Sequence, residues 1–311
     1  VNPPAPFHAA LADGPDGGRA FWLTASDGVR LRAAVWGPGD LGTVLLFPGR
    51  TEYAEKYGRA AADLAARGYA TVTVDWRGQG LADRPLADAM TGHVAHFRDY
   101  QRDVQALVAL AEDLALPQPL YLMAHSMGGC IGLRALMLGL PVRAAVFSAP
   151  MWGIRIAPVM RPLAVTLAAA SLLVKRGHRY APGTTATTYV AEAPYQGNVL
   201  TTDPEMFGWM KAQVAAVPEL ALGGPSLGWL HAALTECRAL AALPSPATPT
   251  LCVLGSAERV VDPAPIRARM ARWPGGRLQL VPGAEHEVMM ETHAIRAGFF
   301  DAAAALYQAH R

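Results

Sequence analysis

The sequence predicts an α/β protein: a mostly parallel central sheet flanked by helices, with a mainly helical cap inserted into it. Three observations predict this class. Short apolar runs alternate with helical segments from about residue 43 onward, the rhythm of βα units. Between residues 151 and 235 that rhythm is lost, and Pro, Gly, Met and Trp gather instead. Finally, Ala124-His125-Ser126-Met127-Gly128-Gly129 sets one serine between an apolar strand and a helix, with small residues around it. The 311 residues are ample for one large α/β unit carrying an insertion.

Taken in order, residues 1–19 are rich in Pro, Gly and Ala, lack the charged-then-apolar pattern of a secretory leader, and read as a mobile N-terminal arm. Ala20 to Ala25 and Val29 to Trp36 read as strands joined by the hairpin signal Ser26-Asp27-Gly28. Thr43 to Phe47 is a central strand ending in the turn Pro48-Gly49-Arg50-Thr51-Glu52, and Ala70 to Val74 is a strand ending in Asp75-Trp76-Arg77-Gly78-Gln79-Gly80. That second turn lacks the third glycine and the following helix of a phosphate cradle, so it reads as a shaper of the site's rim. Pro119 to Ala124 is a buried strand and Cys130 to Met137 has helical spacing, which leaves Ser126 on a sharp strand-to-helix turn. The core is therefore expected over 20–150 and 236–311, and the cap over 151–235.

A serine hydroxyl is a weak nucleophile until a base takes its proton, so a histidine and an acid are needed downstream. Of nine histidines, His286 has the fitting context: the strand Arg277 to Val281, a Gly-containing turn, the histidine, then a helix. The strand Pro249 to Gly255 exits through Ser256-Ala257-Glu258-Arg259-Val260-Val261-Asp262-Pro263, which offers two carboxylates. Glu258 is the favoured acid; Asp262 is the runner-up, and it also fits an N-cap followed by Pro at the first helical position. Backbone N–H groups of Met127 and Arg50 are the candidate oxyanion donors.

These stretches, in this order, resemble the α/β-hydrolase superfamily, and within it the serine hydrolases grouped with bacterial lysophospholipases and monoacylglycerol lipases. The resemblance spans most of the chain and implies the α/β-hydrolase fold and a Ser126, Glu258, His286 triad in the family's chain order. It also implies a carboxylic-ester hydrolase acting on a lipid-like ester, with a thioester, amide or peptide bond as the alternative and a non-catalytic ligand-binding protein of the same fold as the least favoured reading. Ala124 stands where the usual signature has Gly. Pro48-Gly49 and Glu258 depart from the His-Gly and Asp that monoacylglycerol lipases more often show, which tilts the likeness toward the lysophospholipases. No metal or other cofactor is required for this chemistry.

Trp152, Trp209, Met210 and Met289 are the candidate acyl-pocket residues. An aminopeptidase would need a cluster of cap carboxylates to hold a substrate amine, and the sequence shows none; Glu192, Asp203 and Glu205 are the scattered candidates, and loop carboxylates are usually just solvated. Ile156 to Val174 is almost wholly apolar, but its uninterrupted part, Leu163 to Val174, is 12 residues, too short to span a bilayer. It reads as a helix on the core or as a lipid-facing lid. With a net charge of +2 and no basic clusters beyond Lys175 to Arg179, nucleic-acid binding has no support, while transient contact with a membrane surface fits. Three cysteines without a CxxC pair fit a reducing, cytoplasmic setting.

Overall fold

The computed structural model describes residues 2–311. Nine strands form one sheet among the described residues: β1 (Pro4–Ala5), β2 (Arg19–Thr24), β3 (Arg30–Trp36), β4 (Thr43–Phe47), β5 (Ala70–Asp75), β6 (Leu120–His125), β7 (Ala145–Ser148), β8 (Thr250–Gly255) and β9 (Arg277–Val281). Their order is β1-β2-β3-β5-β4-β6-β7-β8-β9. From β5 to β9 every pairing is parallel, and β1 to β3 add an antiparallel edge. The helices are α1 (Ala9–Ala12), α2 (Gly58–Ala65), α3 (Tyr100–Asp113), α4 (Ser126–Met137), α5 (Arg161–Leu173), α6 (Tyr189–Glu192), α7 (Pro204–Ala216), α8 (Leu227–Ala241), α9 (Pro263–Met270) and α10 (His293–Ala309).

The central strands are apolar at nearly every position because both faces of the sheet are covered. Alternate side chains go to opposite faces: Leu45, Phe47, Leu122, Ala124, Cys252 and Leu254 join the core under α3, α4 and α8. Val44, Leu46, Tyr121, Met123, Leu251 and Val253 join the one that includes α10 residues Phe299, Phe300 and Tyr307. Chain order reverses around β4, which has β5 on one side and β6 on the other. In such sheets the crevice beyond the carboxyl ends of the strands, at this reversal, is where ligands bind. Register brings Phe47 beside Ala124, His125 beside Ser148 and Gly255 beside Val281, so the exit loops of β4, β6, β8 and β9 meet at one edge.

Two expectations change. The N-terminal residues are not a loose arm: Pro4 and Ala5 pair with Phe21 and Ala20, Phe7 packs edge-on against Trp36, and Ala12 is fully buried. Gly58 makes room for this, since a Cβ there would stand 1.9 Å from the carbonyl oxygen of Ala12. Val1 lies outside the described residues. At the other boundary, 235/236 falls inside α8, whose Ala232, Ala233, Cys237 and Leu240 belong to the main core. Arg134 on α4 and Glu236 on α8 close this junction with a buried 2.6 Å ion pair. No helix among the described residues is long and apolar enough to cross a membrane.

Candidate active site

Ser126 begins α4 directly after β6, with φ at +48°, the left-handed region that a side chain enters only under constraint. The constraint is close packing. A Cβ on Gly128 would come within 2.2 Å of the Phe47 carbonyl oxygen, and one on Gly129 within 2.4 Å of the Pro150 side chain. Ala124 is tolerated in place of glycine because it faces Gly132, where even a methyl group would approach it to 3.3 Å.

The exit loops of β8 and β9 touch at Gly255, where a Cβ would lie 2.2 Å and 2.3 Å from the carbonyl oxygens of Ala284 and Glu285. This contact delivers His286 to Glu258: Nδ1 of the imidazole is 2.7 Å from Oε2 of the carboxylate. The other carboxylate oxygen accepts the N–H groups of Val260 at 2.6 Å and Val261 at 2.9 Å. Burial pushes the Glu258 carboxyl up, but the bond and charge of His286 and the two backbone donors outweigh it and hold it below the ordinary range. An ionised carboxylate only accepts, so Nδ1 carries the proton and Nε2 is left as the basic nitrogen. Asp262 does the other job open to it: its side chain accepts the Ala264 N–H at 3.0 Å as the N-cap of α9 and makes no bond to His286.

The turn after β4 is held on three sides. Trp76 donates to the Pro48 carbonyl at 2.9 Å, Gln79 donates to the Gly49 carbonyl at 3.0 Å and accepts the Thr51 N–H at 3.2 Å, and Glu52 accepts the Gly49 N–H. Thr51 sits at φ +67°. The N–H of Arg50 has no acceptor among the described residues. The N–H of Met127 lies in the first turn of α4, where helical donors have no intrahelical partner. Gln79 was not distinguished by sequence reasoning; the glycine turn holding it was the available signal.

A buried charge cluster underlies this turn. The Lys56 ammonium lies 2.7 Å from both Glu52 and Glu287, Tyr57 donates to Glu52, and Nε2 of His125 is 3.5 Å from Glu52. Burial raises the Glu52 carboxyl, but Lys56 beside it holds it well below the usual range. Burial also drives His125 down to about 3, so it is neutral, with Nδ1 donating to the Ser148 carbonyl at 3.0 Å. Donor atoms of Glu52, His125 and Glu287 lie within 4.8 Å of one another, a spacing a metal ion could bridge, but Lys56 already occupies the gap between the two carboxylates.

Ser126, His286, Arg50, Met210, Tyr53 and Trp229 line one cavity of about 500 Å³, bounded by the strand exit loops and by residues 183–229. Of the four acyl-pocket candidates, only Met210 reaches it. Trp152 stacks on Trp273 behind the nucleophile and donates to the Gly129 carbonyl at 3.1 Å. Trp209 lies under the Arg59 guanidinium, 4.6 Å from its ring centre. Met289 is buried beside His125, Lys56 and Glu287. Among the cap carboxylates, Glu192 lines the cavity, whereas Asp203 caps α7 and Glu205 pairs with Arg59 at 2.8 Å.

The model of the family described as serine aminopeptidase S33 matches residues 40–293. Lysophospholipase L2 of Escherichia coli strain K12 is 34% identical over 268 residues, covering 82% of this chain and 76% of that protein. A probable lysophospholipase L2 of Haemophilus influenzae is 29% identical over 256 residues, covering 81% and 79%. Among solved structures, a soluble variant of monoglyceride lipase from Saccharomyces cerevisiae superposes with a TM-score of 0.70 at 20% identity, covering 93% of this chain and 94% of that one. A carboxyl esterase from Bacillus coagulans gives 0.75 at 15% identity, covering 94% and 98%. The chain belongs to the serine aminopeptidase S33 family of α/β-hydrolases, and it is a serine hydrolase.

Proposed function

We propose that this protein hydrolyses a lipid-like carboxylic ester, a lysophospholipid or a monoacylglycerol, through Ser126, His286 and Glu258. The observation that carries the reading is the 2.7 Å contact of His286 Nδ1 with Glu258, made at the cavity that Ser126 also lines. Ser126 Oγ attacks the ester carbonyl while Nε2 of His286 takes its proton, and Glu258 holds the ring in that tautomer and offsets the imidazolium charge. The oxyanion of the tetrahedral intermediate is received by the N–H groups of Arg50 and Met127. Collapse expels the alcohol, protonated by His286, and water repeats the cycle on the acyl-enzyme. Lysophospholipase L2 among the relatives supports the lipid class.

The test is hydrolysis of p-nitrophenyl esters of increasing acyl length, lysophosphatidylcholine and a monoacylglycerol by the native chain and by Ser126→Ala. We expect a fall on the order of 10⁴-fold in turnover for the variant. Unchanged hydrolysis by Ser126→Ala would sink the assignment.

A peptidase reading draws on the family's description and on Glu192 at the cavity mouth, which could hold a substrate amine. Turnover of amino-acid anilides exceeding that of esters, and lost in Glu192→Gln, would favour it. We further propose transient contact with anionic lipid through α5. Val159, Met160, Leu163, Leu172, Leu173 and Val174 are exposed there, with Leu173 at 86%, and the exposed Lys175, Arg176 and Arg179 follow directly. An apolar face with a basic margin is suited to an anionic bilayer surface. Sedimentation with phosphatidylglycerol vesicles, reduced in Leu163→Asp/Leu173→Asp, checks it. Three free, buried cysteines support a reducing, cytoplasmic setting.

A further inference from the structure

The cavity contains a cation, Arg50, for which the described residues supply no anion. Arg50 leaves the turn after β4 and lays its side chain toward the cap. Nη2 donates to the Gly223 carbonyl at 2.6 Å, and the guanidinium carbon stands 5.3 Å from the Trp229 ring centre. Gly92 leaves the space, since a Cβ there would meet Nη2 at 2.6 Å. Gly223 and Trp229 line the cavity with Arg50.

Three other buried arginines are neutralised by carboxylates, and a fourth, Arg269, lies away from the cavity with its guanidinium donating to the Leu240 and Leu243 carbonyls and the Ser245 hydroxyl. Arg32 meets Glu55 at 2.7 Å and Asp75 at 2.8 Å, Arg77 meets Asp27 and Asp103 at 2.7 Å, and Arg134 meets Glu236 at 2.6 Å. Arg50 has no carboxylate within 4.0 Å among the described residues, and its Nε is sealed from solvent without a partner. The carboxylates nearest to it in sequence, Glu52 and Glu55, are committed to Lys56 and Arg32. Burial away from water holds Arg50 down to about 10, so it remains a cation at neutral pH. A guanidinium offers five N–H donors in a planar fork that matches a phosphate, and a single carbonyl uses one of them. Keeping a cation partly desolvated and unpaired is costly unless a ligand brings the anion.

We propose that the Arg50 guanidinium is the phosphate subsite of this cavity, making the enzyme select esters whose alcohol carries a phosphate, as a lysophospholipid does, over uncharged monoacylglycerols. The inference rests on the ester-hydrolase reading above and adds the headgroup. It also gives one residue two tasks in the same cavity: its backbone N–H serves as an oxyanion donor, and its guanidinium, on the cavity wall that Ser126 shares, receives the phosphate.

The test measures binding apart from turnover. In a Ser126→Ala background, titration calorimetry with monodecanoyl lysophosphatidylglycerol and with monodecanoylglycerol, both as monomers, is run on Arg50, Arg50→Gln and Arg50→Lys chains. The phosphate lipid is expected to lose roughly 10- to 100-fold more affinity than the monoacylglycerol in Arg50→Gln, with Arg50→Lys intermediate because it keeps the charge but not the fork. Equal losses for the two lipids, or none, would overturn the proposal. Inorganic phosphate is titrated alongside; binding as tight as that of the phosphate lipid would make this a free-anion site and would also overturn it. Turnover by the Ser126-bearing chain separates the two readings. Absence of hydrolysis of either lipid defeats the ester assignment, while the calorimetric ratio still decides whether Arg50 recognises phosphate.

Discussion

Replacing Glu258 by Gln asks which of two carboxylates orients His286, and the structure sets the size of the answer. Oε1 of Glu258 accepts two backbone N–H groups, from Val260 and Val261, and Oε2 faces Nδ1 of His286. A glutamine has one oxygen and one NH₂ to distribute between these places. Two fixed donors claim the oxygen, which turns the NH₂ toward His286. Nδ1 must then accept instead of donate, so the ring proton moves to Nε2 and the nitrogen that should take the serine proton is blocked. Loss of the correct tautomer with geometry intact is worth about 10⁴ in kcat, or roughly 5.4 kcal/mol at 1.36 kcal/mol per decade. The assay is kcat and KM for p-nitrophenyl butyrate, with far-UV circular dichroism to establish folding. Asp262→Asn is the partner experiment: Asn caps a helix as well as Asp does, so kcat should stay within about threefold and stability within a few tenths of a kcal/mol. A loss under tenfold in Glu258→Gln, or an equal loss in Asp262→Asn, would refute the reasoning.

Gly255→Ala forces a methyl group to within 2.2 Å of the Ala284 carbonyl oxygen, so the loop bearing His286 must shift; kcat should fall on the order of 10²-fold in a chain that still folds, and near-native kcat would show that the loop contact is not needed. His125 supplies a pH prediction. Burial lowers its pKa from 6.5 to about 3, with Glu52, Lys56 and His286 as the charged or titratable groups that perturb it. Between those values the unfolded chain binds a proton that the folded chain refuses, so this share of stability is complete above about pH 6.5 and is lost as pH falls toward 3. At pH 5 the loss from this residue is about 2 kcal/mol. Urea unfolding at pH 7.5 and 5 should therefore show a smaller drop in His125→Gln than in the native chain, and equal drops would exclude His125 as a source of acid sensitivity.

Features decided within one loop were legible in the sequence. The run Thr43 to Phe47 is a strand as read, because the apolar pattern of a buried parallel strand is local, and Arg277 to Val281 is a strand as read at the partly exposed edge of the sheet. Ser126 falls on its turn for the same reason. Features decided by what crosses from another element were not legible. Glu258 and Asp262 stand four residues apart in one exit loop, and the position of Glu258 three residues past Gly255 favours it without excluding Asp262. Only the Gly255 contact with the Ala284–Glu285 backbone shows which of them meets His286. The Trp and Met candidates failed similarly: apolar character says that Trp152, Trp209 and Met289 are covered, but not by what, and two of the three ended in the main packing of the fold.

The N-terminal segment shows the same limit, since its Pro and Ala composition hides the pairing of Pro4 and Ala5 with β2. Arg50 divides along this line within one residue. Its backbone role follows from the turn after β4, a motif of consecutive residues. Its side chain acquires meaning only from what is missing around it, and an unpaired cation cannot be read from a chain that contains 25 Asp and Glu residues. Each of those carboxylates was a possible partner until the fold assigned Glu55 to Arg32, Asp103 to Arg77, Glu236 to Arg134 and Glu52 to Lys56. The selectivity expected of Arg50 is thus a property of the whole charge pairing, and it should change if that pairing does. A carboxylate placed at Gly92, directly against the guanidinium, would supply the missing anion from within the protein. Gly92→Asp should accordingly suppress lysophosphatidylglycerol binding more than monodecanoylglycerol binding, and more than Gly92→Ala, whose methyl group displaces the guanidinium without adding charge; undiminished preference for the phosphate lipid would mean that the guanidinium is not what receives it.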